Sequence, residues 1–349
     1  MTIDLLDRPS HGAAPIASQR LAPPAFAWRD GEPPGARPSG LRDAALTLLT
    51  FGLWRCWVRT RMRQRIWGAI DLDGVALRYT GTARDLLVPT LAALGVFAAL
   101  AIGVWIATLF AVPKPRLTPT PWRFLVTVPL IYLLGLAAWR QRAWLLEHTA
   151  LGAITGRLEG SRHAYAGRHL LTAIAMPLTL GFVVPFRQVL MQQRLIEGMQ
   201  LGHHRFTFAG DARLLLPRFA IAWGAGIAIY LASVLAVAYS SIGRKIAVAK
   251  HTATWVQLDA GEFGLLGAIA AVAALSLGLL AAWYRIGLWR RLAGWTRMDG
   301  RALTLDAATG DYLALVVGNM ALRIGTLNLL APIAEERHAR FLLSRLRCG

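Results

Sequence analysis

The sequence predicts an all-α polytopic membrane protein with internal tandem repeats and short β-hairpins on its cytoplasmic face. Three observations predict it. Of 349 residues, 55% are hydrophobic and only 16% charged, and mean hydropathy is +0.45; soluble domains carry roughly 25% charged residues. The apolar residues are gathered into blocks of bilayer length, about 20 residues each. The chain also repeats itself. Its 38 Lys and Arg outnumber 19 Asp and Glu, and cations interleaved with apolar blocks mark the cytoplasmic faces of membrane proteins before they mark a nucleic-acid surface. Two cysteines, Cys56 and Cys348, exclude a disulfide scaffold and any multi-cysteine metal centre.

Residues 1–40 contain Pro9, Pro15, Pro23, Pro24, Pro33, Pro34 and Pro38 without an apolar period. They read as a disordered tail, because such a stretch cannot bury enough surface to offset its ordering entropy. Asp4 and Asp7 stand where the basic start and apolar run of a signal peptide belong. Four clean blocks follow: Leu86–Val112, Phe124–Trp139, Phe219–Ser241 and Phe263–Tyr284. Three others are broken. Ala44–Val58 holds Gly52 and Arg55; Leu170–Leu190 holds Pro177, Gly181, Pro185 and Arg187; Tyr312–Ala334 holds Asn319, Arg323, Gly325, Asn328 and Pro332. Each broken block is a poor span or a re-entrant, interfacial helix.

Self-comparison orders these blocks. A shift of 129 puts Thr50 on Thr179, Gly52 on Gly181, Gln64-Arg65 on Gln193-Arg194 and Ala83-Arg84 on Ala212-Arg213. A shift of 226 puts Trp57 on Trp283 and Asp73-Gly74 on Asp299-Gly300, and a last partial copy begins at Thr326. The unit reads as a broken helix, an Arg-rich turn, a hairpin and a clean span. Asp73-Gly74 and Asp299-Gly300 are strong hairpin signals; Ile154–Leu158 and Gly202–Phe208 are weaker versions. The divisions expected are a tail (1–40), repeat unit 1a (41–121), unit 1b (122–169), repeat unit 2a (170–261), unit 2b (262–311) and a terminal partial repeat (312–349).

Charge bears on topology. Windows 55–84, 140–169, 187–213, 285–311 and 334–349 hold 25 of the 38 cations. If all seven blocks span, these windows alternate between the two sides, against the positive-inside rule. If only the four clean blocks span, all five become cytoplasmic. Four spans are preferred, with up to seven left open.

The run Thr50-Phe-Gly-Leu-Trp-Arg-Cys-Trp57, then Arg59, Arg61, Arg63 and Arg65, then Leu72-Asp-Gly74 and Tyr79-Thr-Gly81, resembles the YjgN-like family of bacterial inner-membrane proteins. Thr179-Leu-Gly181 leading to Pro185-Phe186, and Thr326-Leu327 through Pro332 to Arg337, are similar to later copies of the same pattern. Cys56 departs from it where proline is usual. The resemblance covers residues 41–345 and implies a multi-pass inner-membrane protein. It implies no reaction.

No catalytic motif is legible, no cofactor is implied, and no metal site is expected. His203-His204 reads as a solvated turn and Glu335-Glu336 as a charged helix face. One candidate polar membrane site is Asn319, Arg323 and Asn328, since a charge at membrane depth is costly; the competing reading has Arg323 snorkelling from an interfacial helix. Arg55, Arg59, Arg61, Arg63 and Arg65 are candidate contacts for anionic lipid headgroups, near Trp54, Trp57 and Trp67; a simple cytoplasmic anchor explains them equally. Membrane lipids are the expected partners and nucleic acid is not. A homo-oligomer is neither required nor excluded. The function expected is a non-enzymatic, transporter-like or lipid-interacting one. An enzyme acting on a lipid or envelope precursor, or a scaffold subunit, is the alternative.

Overall fold

The computed structural model describes residues 26–28, 40–110, 122–252 and 255–348. Nearly all of the expected tail and the loop 113–121 lie outside them. The exception is Phe26–Trp28 (β1), which forms a strand within the stretch read as disordered.

The first helix, α1 (Gly40–Leu49), turns into α2 (Arg55–Gly68), which runs into the hairpin β2 (Ile70–Leu72) and β3 (Val75–Tyr79). Two long helices follow, α3 (Ala83–Phe110) and α4 (Trp122–Glu147). The chain then makes β4 (Thr149–Leu151), β5 (Ile154–Thr155) and β6 (Arg157–Leu158), and a second helix pair, α5 (Arg162–Leu178) and α6 (Val184–Glu197). The hairpin β7 (Met199–Leu201) and β8 (His204–Phe208) leads to α7 (Leu216–Ala238) and the short α8 (Ser241–Thr252). The longest helix, α9 (Ala260–Trp295), enters β9 (Thr296–Met298) and β10 (Arg301–Leu305). A third helix pair, α10 (Thr309–Gly325) and α11 (Ala331–Leu343), ends in β11 (Leu346–Cys348).

The expectation of an all-α chain with separate hairpins needs correction. The strands join into two sheets, in the orders β1-β2-β3-β4-β5 and β11-β10-β9-β8-β7-β6. Ile154–Leu158 is one strand kinked at Gly156: its first half pairs with β4 and its second with β7. A side chain on Gly156 would come within 2.8 Å of the Leu146 carbonyl, so the kink requires glycine. At the other end β1 lies against β11. The strands therefore form a nearly closed antiparallel circuit, which leaves few edges to aggregate. Its core is Leu72, Leu77, Leu201 and Met298 from the strands with Met62 and Ile66 from α2; Trp28 and Cys348 pack against it.

The four two-residue loops have the chemistry their geometry needs. Asp73-Gly74 and Asp299-Gly300 all have positive φ, between 50° and 84°, as a type I′ turn demands. Gly152 and Gly202 supply the left-handed residue in the other two loops. His204 ties three hairpins together: its Nδ1 lies 2.6 Å from Asp299 and its Nε2 3.3 Å from Asp73. Asp299 also accepts the Arg205 N–H at 2.9 Å.

Each of the three helix pairs is reversed by the same turn. Thr50, Thr179 and Thr326 donate their hydroxyls to the carbonyls four residues back, at 2.6–2.9 Å. The same hydroxyls accept the N–H four residues ahead, at 2.9–3.3 Å. The next two residues are left-handed: Phe51-Gly52, Leu180-Gly181 and Leu327-Asn328. Gly52, Gly181 and Asn328 each return an N–H to the carbonyl five residues earlier, at 2.6–2.8 Å. These are the bonds of a Schellman cap.

Among the described residues, two helices are long and apolar enough to cross a membrane, Ala212–Ala238 and Ala260–Trp295. Their most apolar windows are 0% and 6% buried inside the protein, so their apolar surface is left uncovered by the rest of the described chain. At the end of α9 remote from the strands, Asp259 and Glu262 form a reciprocal capping box and Lys245 of α8 reaches Glu262 at 2.7 Å.

Replacing His204 by Ala removes the imidazole that bridges Asp73 and Asp299. We expect it to lower stability by about 1–2 kcal/mol, read as a fall in melting temperature in detergent. Burial would raise the Asp299 carboxyl, but the Arg205 N–H and His204 outweigh it and hold the group below its ordinary value. A depressed carboxyl stabilises the fold above its unfolded pKa, near 4, and that contribution vanishes as pH falls through the lower folded value. Acid unfolding of Asp299→Asn should accordingly be less steep than that of the wild type.

Candidate functional site

The two groups of residues singled out in the sequence meet where α2, α10 and α11 pack. Thr50 and Thr326 start equivalent turns, so α2 and α11 are equivalent helices, and they lie side by side. Glu335 of α11 stands between Arg59 of α2 (3.8 Å) and Arg323 of α10 (4.0 Å). Arg55 donates to the Asn328 carbonyl at 3.4 Å. The next residue, Glu336, lies 3.7 Å from Arg65 and 3.4 Å from Arg340. The first and last helix pairs are thus joined by two carboxylates and three arginines, Arg55, Arg59 and Arg65, across some 270 residues of sequence.

Burial divides these contacts. The Arg59, Arg323 and Glu335 side chains are 37–52% exposed, and a pair in that setting contributes about 1 kcal/mol or less. The Arg65 side chain is 4% exposed and Glu336 is 14% exposed. Arg65 also has its Nε and one Nη buried without a hydrogen-bond partner. That makes Glu336 its necessary counter-charge.

The remaining arginines of α2 serve nearby structure. Arg61 pairs with buried Asp43 of α1 at 2.6 Å, and Trp54 donates to the same oxygen at 2.9 Å. Arg63 donates to the Tyr79 hydroxyl at 3.1 Å and lies over the Tyr79 and Trp144 rings. Arg55 and Arg59 are therefore the members of the cluster that face outward.

Asn319, Arg323 and Asn328 do not line one cavity. Asn319 is buried and donates to the Ala334 carbonyl of α11 at 3.2 Å, locking the helix pair. Asn328 has left the helix for the second left-handed position of the turn, φ 65°, a conformation asparagine tolerates. Arg323 is half-exposed beside Glu335. The position seven residues before each turn threonine is polar and buried in all three pairs: Asp43, Thr172 and Asn319.

Two further groups escaped the sequence reading. Glu335-Glu336, read as a charged helix face, is the joint just described. His338 packs against Trp289 and Tyr312, where burial first, then the Arg285 and Arg323 charges, push its pKa down and favour the neutral ring. The partial copy that begins at Thr326, and sets Arg337 opposite Arg61, was the signal that α11 is a counterpart of α2. No group of three His, Cys, Asp or Glu among the described residues is placed to hold a metal ion.

Glu336→Ala should destabilise the protein by about 3 kcal/mol, since it strands a buried guanidinium. Glu335→Ala should cost less than about 1 kcal/mol. Chemical denaturation of both variants in detergent measures the difference; removing Arg65 together with Glu336 (Arg65→Met, Glu336→Leu) should recover most of the loss.

No curated protein and no solved structure matches the chain. A family model for bacterial proteins of unknown function (DUF898) matches residues 42–348, nearly the whole length. The chain belongs to that uncharacterised bacterial family.

Proposed function

We propose that this is a multi-pass protein of the bacterial inner membrane whose cytoplasmic face binds anionic lipids, without covalent chemistry. The observation that carries the reading is the strained turn at the tip of each helix pair. Phe51, Leu180 and Leu327 have φ of 48–49°, which costs a residue with a side chain roughly 1–2 kcal/mol. Glycine would adopt the conformation freely. Instead each tip presents a large apolar side chain, 99%, 71% and 86% exposed. Strain that projects apolar groups outward is useful where an apolar phase receives them. Leu48, Leu49, Leu178 and Ile324 beside them are exposed too.

Helix lengths give the depth. At 1.5 Å per residue, α2, α6 and α11 (14, 14 and 13 residues) reach about 20 Å from the strands. That is short of the roughly 30 Å hydrocarbon core, whereas α3, α4 and α9 exceed it and α7 meets it. Charge ends at Arg140 on α4, Arg218 on α7 and Arg285 on α9, each about 15 Å from the strand layer. The tips then pass that level by only a few ångströms. This supports four spans and three interfacial hairpins, with Arg323, Arg55 and Arg59 at headgroup level. Each such cation contributes about 1 kcal/mol of attraction to an anionic surface. The strands and the basic windows lie on one side, which the positive-inside rule makes cytoplasmic.

Two measurements test this. In a background without Cys56 and Cys348, Ala76→Cys and Ala302→Cys should both be labelled only from the cytoplasmic side, and Gln257→Cys only from outside. Opposite sidedness of the first two would overturn the arrangement. Replacing Phe51, Leu180 and Leu327 by Gly should leave the melting temperature in detergent unchanged or higher. The same variant should lose much of the stabilisation gained on transfer to phosphatidylglycerol nanodiscs; an undiminished gain would remove the role assigned to the tips.

A further inference from the structure

Between α4 and the start of α5 lies an open crevice of about 560 Å³. Trp139, Arg140, Trp144, Glu147, Arg162 and His163 line it. We infer that this crevice is a binding site for the headgroup of a single anionic phospholipid. The inference rests on the membrane reading above, which fixes the level of the crevice.

The chemistry is arranged along the membrane normal. Arg140 and Arg162 are exposed, and no carboxylate among the described residues pairs with either in the structure. Two guanidiniums across a crevice suit a phosphodiester, which accepts bidentate hydrogen bonds. His163 is held against Tyr132, its Nδ1 2.7 Å from the hydroxyl and the two rings stacked. Trp139 is fixed between Tyr165, at a centroid distance of 5.4 Å, and Gly160. A side chain at Gly160 would press on the Trp139 ring at 3.1 Å, so the wall is built to leave that ring in place. Tryptophan at the headgroup boundary is where its amphipathic ring sits best.

Away from the strands, α4 continues with Leu130, Leu133 and Leu134, all 46–57% exposed. They give the acyl chains an apolar track leading directly from the cationic mouth. That track selects a lipid over a soluble phosphate. Glu147, three residues beyond Trp144 toward the strands, is an acceptor for headgroup hydroxyls and disfavours a purely anionic ligand there. A glycerol headgroup satisfies both ends: phosphodiester to the arginines, hydroxyls to the carboxylate.

Native mass spectrometry of the full chain in detergent, with phosphatidylglycerol added, tests the assignment. The wild type should retain one phosphatidylglycerol in preference to phosphatidylcholine. Arg140→Gln with Arg162→Gln should weaken that binding roughly tenfold or more, and Arg140→Lys with Arg162→Lys should keep most of it. Arg55→Gln with Arg59→Gln, at the α2–α11 joint and not among the residues that line the crevice, should leave this lipid in place. Should the double glutamine variant not fold, Arg140→Gln alone serves, with an expected severalfold loss. Unchanged affinity in a folded glutamine variant overturns the site. Equal competition by glycerol 3-phosphate overturns the lipid as its source. Failure of the chain to fractionate with membranes overturns the membrane reading instead, a result separable from either.

Discussion

Strand pairing sets the position of nine of the eleven α-helices among the described residues. Every helix except α1 and α8 either runs into a strand or starts just after one, so the antiparallel circuit acts as a base plate from which the helices stand. The strands are only two to five residues long, and a lone hairpin of that size is not stable in water. Closure makes the difference. Each hairpin gains neighbours on both sides, the Gly156 kink hands one strand from sheet to sheet, and His204 cross-links three of the turns. Loss of one hairpin would release the helices on either side of it.

The helix reversals obey a different constraint. A helix ending in a poorly hydrated setting must satisfy its last carbonyls without water. The threonine hydroxyl and the two left-handed residues do this with five residues of chain in every copy. Glycine or asparagine occupies the second left-handed position, where the backbone needs it. The first is held by Phe or Leu against its conformational preference. Local propensity and tertiary requirement conflict at that residue alone, the pattern expected of a position kept for what its side chain meets.

Much of this was legible in the sequence because it is local. Asp73-Gly74 and Asp299-Gly300 announce their turns, and the broken blocks contain the Gly or Asn that reverses them. The joint at Glu335 was not legible, because it exists only when the first and last helix pairs are neighbours, and no local pattern states that the circuit closes. His204 looked isolated for the same reason: its carboxylates lie on other hairpins, the nearer 95 residues away. Asn319 and Arg323 do share a helix, as their spacing requires, yet the packing of α11 buries one and leaves the other at the surface. Helical periodicity orders residues on a face but not the faces that meet. β1 escaped because three residues among prolines carry too little pattern to register.

The charge surplus takes on meaning once the acids are located. Asp43, Asp73, Asp299, Glu262, Glu335 and Glu336 all sit at joints between elements, each facing a cation or a histidine of another segment. Some arginines are likewise engaged within the chain: Arg218, Arg290 and Arg291 donate to the carbonyls of Trp283, Ala307 and Leu214. Acids used as mortar cannot also neutralise the outer arginines. With 38 cations to 19 carboxylates, the outward-facing excess on the strand side must be balanced by anions from outside the chain. On the membrane reading proposed above, the nearest concentrated anions are lipid phosphates, and the proposed two-arginine crevice is where such balance would become a defined site rather than a diffuse attraction.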